Sequence, residues 1–471
     1  MTADPAELLA ARMLMAFTLG SHIILVPFGV ALPVLVLTAN YIGLRRRDQV
    51  AITLAQHWSQ AMAVLFAVGA VSGTVLSFEM GLLWPGLTGT FGDVFGLPFA
   101  VEGIFFFLEA IFITIYIYGW KHLAPWTHFW SGAVLPFVSL GGAFSVISAN
   151  GWMNSPAGFT LGADGRPIDV DPLAAIFNQA VAYQFPHMVA AAYMTAGFLV
   201  ASIYALAKLR GHWDRYQRLG FAIPFTLAAL VAPLQILIGD TVARTVLHEM
   251  PIKFAAIEMV WTTGSNKPEI LLGRLDQQTG QVLGGLPIPD LASILSGSSP
   301  STVITGLSTV PLDQQPPATI VHWAWDGMVF GGSALALLAT WFVLYWLIRR
   351  RLPGTPWFYR CATVAGVVSI ACIECGWIVT EVGRQPWVVY NILRTADAVT
   401  HAGIVRVLLA LVLILYAAIG VVTVLTLRAM SRHWTAADLG PVSVPYGPTV
   451  EPSPTDSQPE PGEPISARRT R

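Results

Sequence analysis

Long apolar runs separated by short polar stretches fill the chain up to about residue 430. Nine of these runs reach the roughly 20 residues that cross a bilayer at about 1.5 Å rise per residue. They lie near 13–42, 55–78, 97–120, 126–150, 180–207, 219–243, 319–348, 361–382 and 402–428. The predicted fold class is an all-α integral membrane protein, with a nine-helix membrane domain over 1–430. Two stretches break the pattern. Residues 244–318 form a polar, Gly/Pro/Ser-rich loop, too long for a simple connection. From about Pro441 the chain is rich in Pro, Ser, Glu and Thr, which predicts a disordered tail over 441–471. The acidic start, MTADPAELLAARM, and a first apolar run too long for a signal h-region predict no cleavable leader.

Charge then orients the spans. Arg45-Arg46-Arg47 follow span one, Lys121 span three, Lys208, Arg210, Arg215 and Arg218 span five, and Arg349-Arg350-Arg351 span seven. The short alternate loops hold few basic residues, none from Glu79 to Pro98 and only Arg166 in the next. The positive-inside rule puts the N-terminus outside, the 244–318 loop outside, and the C-terminus and its tail in the cytoplasm. Composition agrees: of 471 residues 55% are hydrophobic and 11% charged, with a net charge of −1. That excludes a soluble globular enzyme, a disordered chain and a nucleic-acid binder with a basic face. The three cysteines, Cys361, Cys372 and Cys375, give no disulfide framework and read as apolar packing.

Ionisable side chains inside a bilayer cost several kcal/mol, so each marks a candidate site. They are His22, His57, Glu102, Glu109, His128, His187, Asp240, His322, Asp326, Glu374 and Glu381. Span five places His187 and span seven places Met328 at similar depth, and an imidazole opposite a thioether can hold a low-spin haem iron. A methionine alone on an apolar helix usually only packs, whereas His187 sits among small residues with room for a flat macrocycle. His22 and Glu374 fall at the same level, which fits one layer of bound cofactor. Glu102 and Glu109 are seven apart, about 20° short of two full turns, so they share a helix face roughly 10 Å apart. With Ser139 near the midplane they form a polar ladder suited to proton delivery, or else a hydrogen-bonded packing pair.

The motifs together resemble subunit I of the cytochrome bd oxidases, membrane quinol:oxygen oxidoreductases. The residues carrying the resemblance are Gly383-Arg384-Gln385-Pro386-Trp387, Glu374-x-Gly376-Trp377, Glu102-Gly103 with Glu109, Ala149-Asn150-Gly151-Trp152-Met153, Gly239-Asp240 and Lys253-x-Ala255-Ala256-x-Glu258. The resemblance covers about 11–430. It implies that His187 and Met328 ligate a low-spin haem b. It implies that His22, Glu374 and Glu102 serve a high-spin haem b and a haem d, or a b-type haem in its place. Glu109 and Ser139 would carry protons, Lys253 and Glu258 would handle quinol in a short outer loop, and Arg384 and Trp387 would meet haem propionates or quinol at the outer surface. Quinol and O2 would be substrates in a bacterial cytoplasmic membrane. Partners would be a second membrane subunit and a small single-span peptide.

One departure stands out. Trp325-Asp326-Gly327-Met328 places a carboxyl where many members of the family have Arg. Beside a haem this should lower the potential and remove a propionate partner, with His322 and Arg244 as candidates for compensation. It keeps open a bd-like oxidase fed by another donor. A membrane ion transporter is a third reading, weakened because the sequence shows no convincing internal repeat.

Overall fold

The computed structural model describes residues 5–437 and Tyr446. Among them nine helical spans are long and apolar enough to cross a membrane. Spans one to four are Pro5–Arg46, Gln49–Leu83, Pro85–Gly119 and Pro125–Asn154. Spans five to nine are Gln179–Leu209, Arg215–Glu249, Leu312–Arg349, Pro356–Val382 and Val405–Trp434. The alternating connections give the bundle an arginine end, carrying Arg45-Arg46-Arg47 and Arg349-Arg350-Arg351, and an opposite loop end.

Several helices outrun their apolar cores. Span three starts at Pro85 rather than near 97, with only Trp84 between it and span two. Hydropathy reads the lipid-facing stretch, whereas a helix continues as long as its backbone bonds close. Pro85 suits the first helical turn, where its missing N–H costs nothing. Span nine begins at Val405 rather than 402 and continues beyond 428. Two of the four starts at the arginine end are capped by acid side chains. Asp48 accepts from Val50 and Ala51 N–H ahead of span two, and Asp214 from Gln217 N–H ahead of span six.

Spans five, six, seven and eight pack as a close bundle. Near the arginine end Phe198, Phe221, Phe225, Phe342, Phe358 and Tyr359 interlock, with the rings of Phe221 and Phe225 stacked at 4.9 Å. Small residues allow the approach. A Cβ on Gly197 would lie 2.8 Å from Pro224 O, and one on Gly366 2.5 Å from Ser202 Oγ. Cys372 and Cys375 serve the same packing, against Gly331 and Gly327 of span seven.

The long loop begins after Glu249 rather than at 244, because span six stays helical to that point. It holds a short helix, Pro251–Ile257, and two antiparallel ladders. One pairs Glu269–Leu271 with Leu286–Ile288, the other Arg274–Asp276 with Gln281–Leu283. Phe254, Ala255, Ile304 and Leu307 form its core against Val321 of span seven. The predicted tail over 441–471 lies outside the described residues except for Tyr446. That hydroxyl bonds Asn40 Nδ2 at 3.1 Å and His128 Nδ1 at 3.0 Å.

Candidate functional site

A cavity of about 1250 Å³ lies among spans one to four and reaches the segment after span eight. His22, Glu102, Glu109, Ser139, Asn150 and Arg384 all face it. His22 stands where span one breaks. Pro27 lacks the N–H that would continue the helix, and the Leu25 N–H turns back to His22 O at 2.8 Å. The break leaves the His22 ring with Nδ1 bonded to Ser72 Oγ at 2.8 Å, so Nε2 is the nitrogen left for a ligand. Glu374 of span eight comes to the same place: a Cβ on Gly20 would lie 3.2 Å from its Oε2, and its Oε1 has no hydrogen-bond partner among the described residues. Glu102 and Glu109 share the cavity face, and Ser139 Oγ donates to Glu109 Oε1 at 2.7 Å.

The walls suit a flat cofactor. Gly92, Gly96 and Gly103 line the cavity, and a Cβ on any of them would meet no atom within 4 Å. Arg384 is only 3% exposed, yet among the described residues its Nε and Nη1 have no hydrogen-bond partner. A buried guanidinium with free N–H groups at a cavity wall fits an anionic group such as a haem propionate. Among the described residues no three His, Cys, Asp or Glu side chains converge on one point. One or two axial ligands suffice where a macrocycle supplies the rest. The residues present therefore fit haem.

Arg384 was expected at the outer surface. It is buried because its Nη2 donates to Glu381 Oε2 at 2.6 Å, while Glu381 Oε1 accepts from Asn150 Nδ2. Asn150 belongs to the Ala149–Met153 motif and Arg384 to the Gly383–Trp387 motif, so one carboxylate ties the two motifs together. Sequence reasoning gave Glu381 no role, because the link joins positions 231 residues apart.

His187 and Met328 lie outside this cavity. Gln235 Nε2 of span six sits 3.3 Å from His187 Nε2 and 3.4 Å from Nδ1, and a Cβ on Gly239 would be 3.5 Å from the ring. A Cβ on Gly376, two residues after Glu374, would lie 3.3 Å from Met328 Sδ. Glycine thus faces both expected ligands. Gln235 was missed, since an isolated glutamine in an apolar run carries no motif.

At the loop end, Lys253 is buried, and its Nζ donates to Thr380 O at 3.2 Å. Burial, reinforced by the Arg384 charge, brings its ammonium down to about 7. Lys253 and Trp387 border one small gap at the end of span eight, and the Arg394 guanidinium covers Trp387 at 5.4 Å. Glu258 is buried beside Glu269. Desolvation and then the Glu269 charge raise the Glu258 carboxyl strongly, whereas desolvation raises Glu269 against the opposing hydrogen bond with Glu258. Asp326 turns into this loop: its Oδ2 accepts the Leu272 N–H at 2.8 Å, with His322 Nε2 at 3.4 Å. Arg244 pairs instead with Asp240, at 2.8 Å.

Other intramembrane candidates have ordinary partners. His57 Nδ1 bonds Tyr216, and the ring stacks on Trp434. His128 bonds Tyr116 O and Tyr446.

A family model described as cytochrome bd terminal oxidase subunit I matches residues 10–435. A Bacillus subtilis protein provisionally named cytochrome bd menaquinol oxidase subunit I is 33% identical over 428 residues, 89% of this chain and 96% of the relative. Cytochrome bd-II ubiquinol oxidase subunit 1 of Escherichia coli is 26% identical over 501 residues, 92% of this chain and 96% of the relative. The solved bd oxidase of Geobacillus thermodenitrificans superposes with a TM-score of 0.85 at 33% identity, covering 92% of this chain and 100% of that one. The chain belongs to the cytochrome bd terminal oxidase subunit I family.

Proposed function

We propose that this chain is the haem-bearing catalytic subunit of a quinol:oxygen oxidoreductase that oxidises quinol at its loop end and reduces dioxygen to water in the cavity. The observation that carries this reading is the convergence on one cavity of His22, the carboxylates Glu102 and Glu109, and the Arg384 guanidinium, whose Nε and Nη1 are left without partners among the described residues. Its volume, about 1250 Å³, exceeds the roughly 300–1,000 Å³ of ordinary small-ligand pockets and suits more than one macrocycle.

Bound haem, one low-spin b, one high-spin b and one d-type or b-type, supplies the redox chemistry. His187 and Met328 would hold the low-spin group, with Gln235 orienting the imidazole. His22, Glu374 and Glu102 would serve the high-spin pair, and Arg384 would take propionate. Glu109, hydrogen-bonded by Ser139, hands protons to the cavity. Lys253 and Glu258 receive quinol, whose two hydroxyl protons leave at the loop end. Two quinols provide the four electrons that turn one dioxygen into two waters. With the loop end outside and the arginine end cytoplasmic, protons are released on one face and consumed from the other. Charge is then separated without a pump.

The Asp326 carboxyl is engaged by the loop, so it gives no support to a different electron donor. The complex would sit in the bacterial cytoplasmic membrane with a second membrane subunit and a small single-span peptide. Quinol-dependent oxygen uptake and reduced-minus-oxidised spectra of the purified complex test the reading. Turnover with haem bands supports it, and a complex lacking those bands contradicts it.

A further inference from the structure

A second group of buried acids lies at the loop end, apart from the cavity. Glu258 follows the short helix Pro251–Ile257, and Glu269 opens the strand Glu269–Leu271. They are 5% and 7% exposed, and their carboxyls lie within hydrogen-bonding reach of each other. Glu258 Oε2 has no donor from elsewhere among the described residues. Span seven sets His322 and Asp326 against the pair, and these two are the charged groups that act on it from outside the loop. Lys253 faces the other way, toward Thr380 and Arg384.

His322 is fully buried and its ring is fixed. Nδ1 lies 2.6 Å from Ile257 O and therefore carries the hydrogen. Nε2, with its lone pair, has no hydrogen-bond partner among the described residues. Asp326 is already held by the Leu272 N–H and acts as a fixed neighbour. Two carboxylates in contact in a dry site do not both ionise; they retain one proton between them, and that shared proton stabilises the single negative charge. Such a pair is a base with one vacancy.

We propose that Glu269 is a further residue of the quinol reaction, sharing one proton with Glu258 so that the pair accepts a quinol hydroxyl proton, with His322 as the neighbouring base. Glu269 acts through Glu258 and is a positioning residue. The inference rests on the reading of the loop end as the quinol site. As quinol becomes quinone, each O–H bond breaks, the proton passes to the carboxylate oxygen of the pair, and the electrons go by the oxidase reaction to dioxygen. The pair returns to its singly protonated state when His322 Nε2 takes the proton.

The test is quinol-dependent oxygen uptake by the intact complex as a function of pH, in wild type, E269Q, E269D and E258Q, with haem spectra as the check on assembly. E269Q should lose about tenfold or more in kcat/KM. Its acid limb should move to higher pH, because Glu258 alone must carry a buried charge without its neighbour's proton. E269D should restore the wild-type profile. An unshifted profile in E269Q, or an unshifted profile in His322→Gln where E269Q fails to assemble, overturns the inference. Impaired E258Q beside unaltered E269Q sinks Glu269 alone. Normal quinol turnover in E258Q and Lys253→Ala sinks the quinol-site reading itself.

Discussion

Glu109 and Glu258 are both glutamates removed from bulk water, but Glu109 faces an open cavity with one hydroxyl partner, while Glu258 is packed solid against a second acid. The cavity region is lined by apolar side chains and glycines that leave room, with a few polar groups among them. The loop region is built from a short helix, paired strands and a packed core, with one small gap beside Lys253. The difference shows what each acid can do. An acid at a cavity wall can exchange protons with whatever fills the cavity. An acid locked beside another acid has a fixed capacity for one proton and a fixed direction in which to pass it.

Substitutions can break this contrast. The largest effect is expected at neither acid but at His187. His187→Ala should remove the low-spin b band and lower quinol-driven oxygen uptake by at least about 100-fold, while the high-spin bands persist. An unchanged low-spin band contradicts the ligand assignment. Next comes Glu109→Gln, which should retain every haem band yet slow turnover about 10–100-fold. Its loss should be the same with any electron donor, since it concerns dioxygen protons. Glu258→Gln, by contrast, should impair quinol oxidation while sparing a donor that delivers electrons without protons. If both variants respond alike to both donors, the two regions are not separate in function.

Smaller effects come from the supporting contacts. Asn150→Ala removes the donor to Glu381 and loosens the hold on Arg384. It should cost about 1 kcal/mol in the stability of the solubilised complex, the scale of a polar contact between membrane helices. A separate effect, on the pH dependence of stability, falls at Lys253. Its ammonium is held near 7 in the folded chain and near its ordinary value once unfolded. Between pH 7 and about 10.5 the unfolded chain therefore binds more protons, and wild-type stability rises with pH. Lys253→Met should lack that rise, gaining on wild type as the pH falls toward 7 and no further below it. Thermal unfolding followed across that range measures the difference.

The nine spans were legible because their signal is local: an apolar run announces itself within 20 or so residues. His22, Glu102, Glu109 and Ser139 could be placed together from helical depth and periodicity, and the cavity does bring them together. Arg384 was misplaced because its burial depends on Glu381 and, through it, on Asn150 in span four. Nothing near residue 384 in the chain reports that link. Asp326 was read beside a haem from its nearness to Met328, but the Leu272 N–H from a distant loop captures it. Glu269 was invisible for the same reason: its partner Glu258 meets it only when the loop folds back on span seven. The legible part is what one helix decides by itself, and the rest is what two segments decide together.

The most direct test is oxygen uptake by the purified complex driven by quinol, recorded with its reduced-minus-oxidised spectrum. A quinol:oxygen oxidoreductase with His187 and Met328 on a low-spin haem predicts rapid uptake, low-spin b and high-spin bands in wild type, and loss of the low-spin band with uptake in His187→Ala. Quinol-driven uptake that survives in His187→Ala with its spectrum unchanged would contradict it.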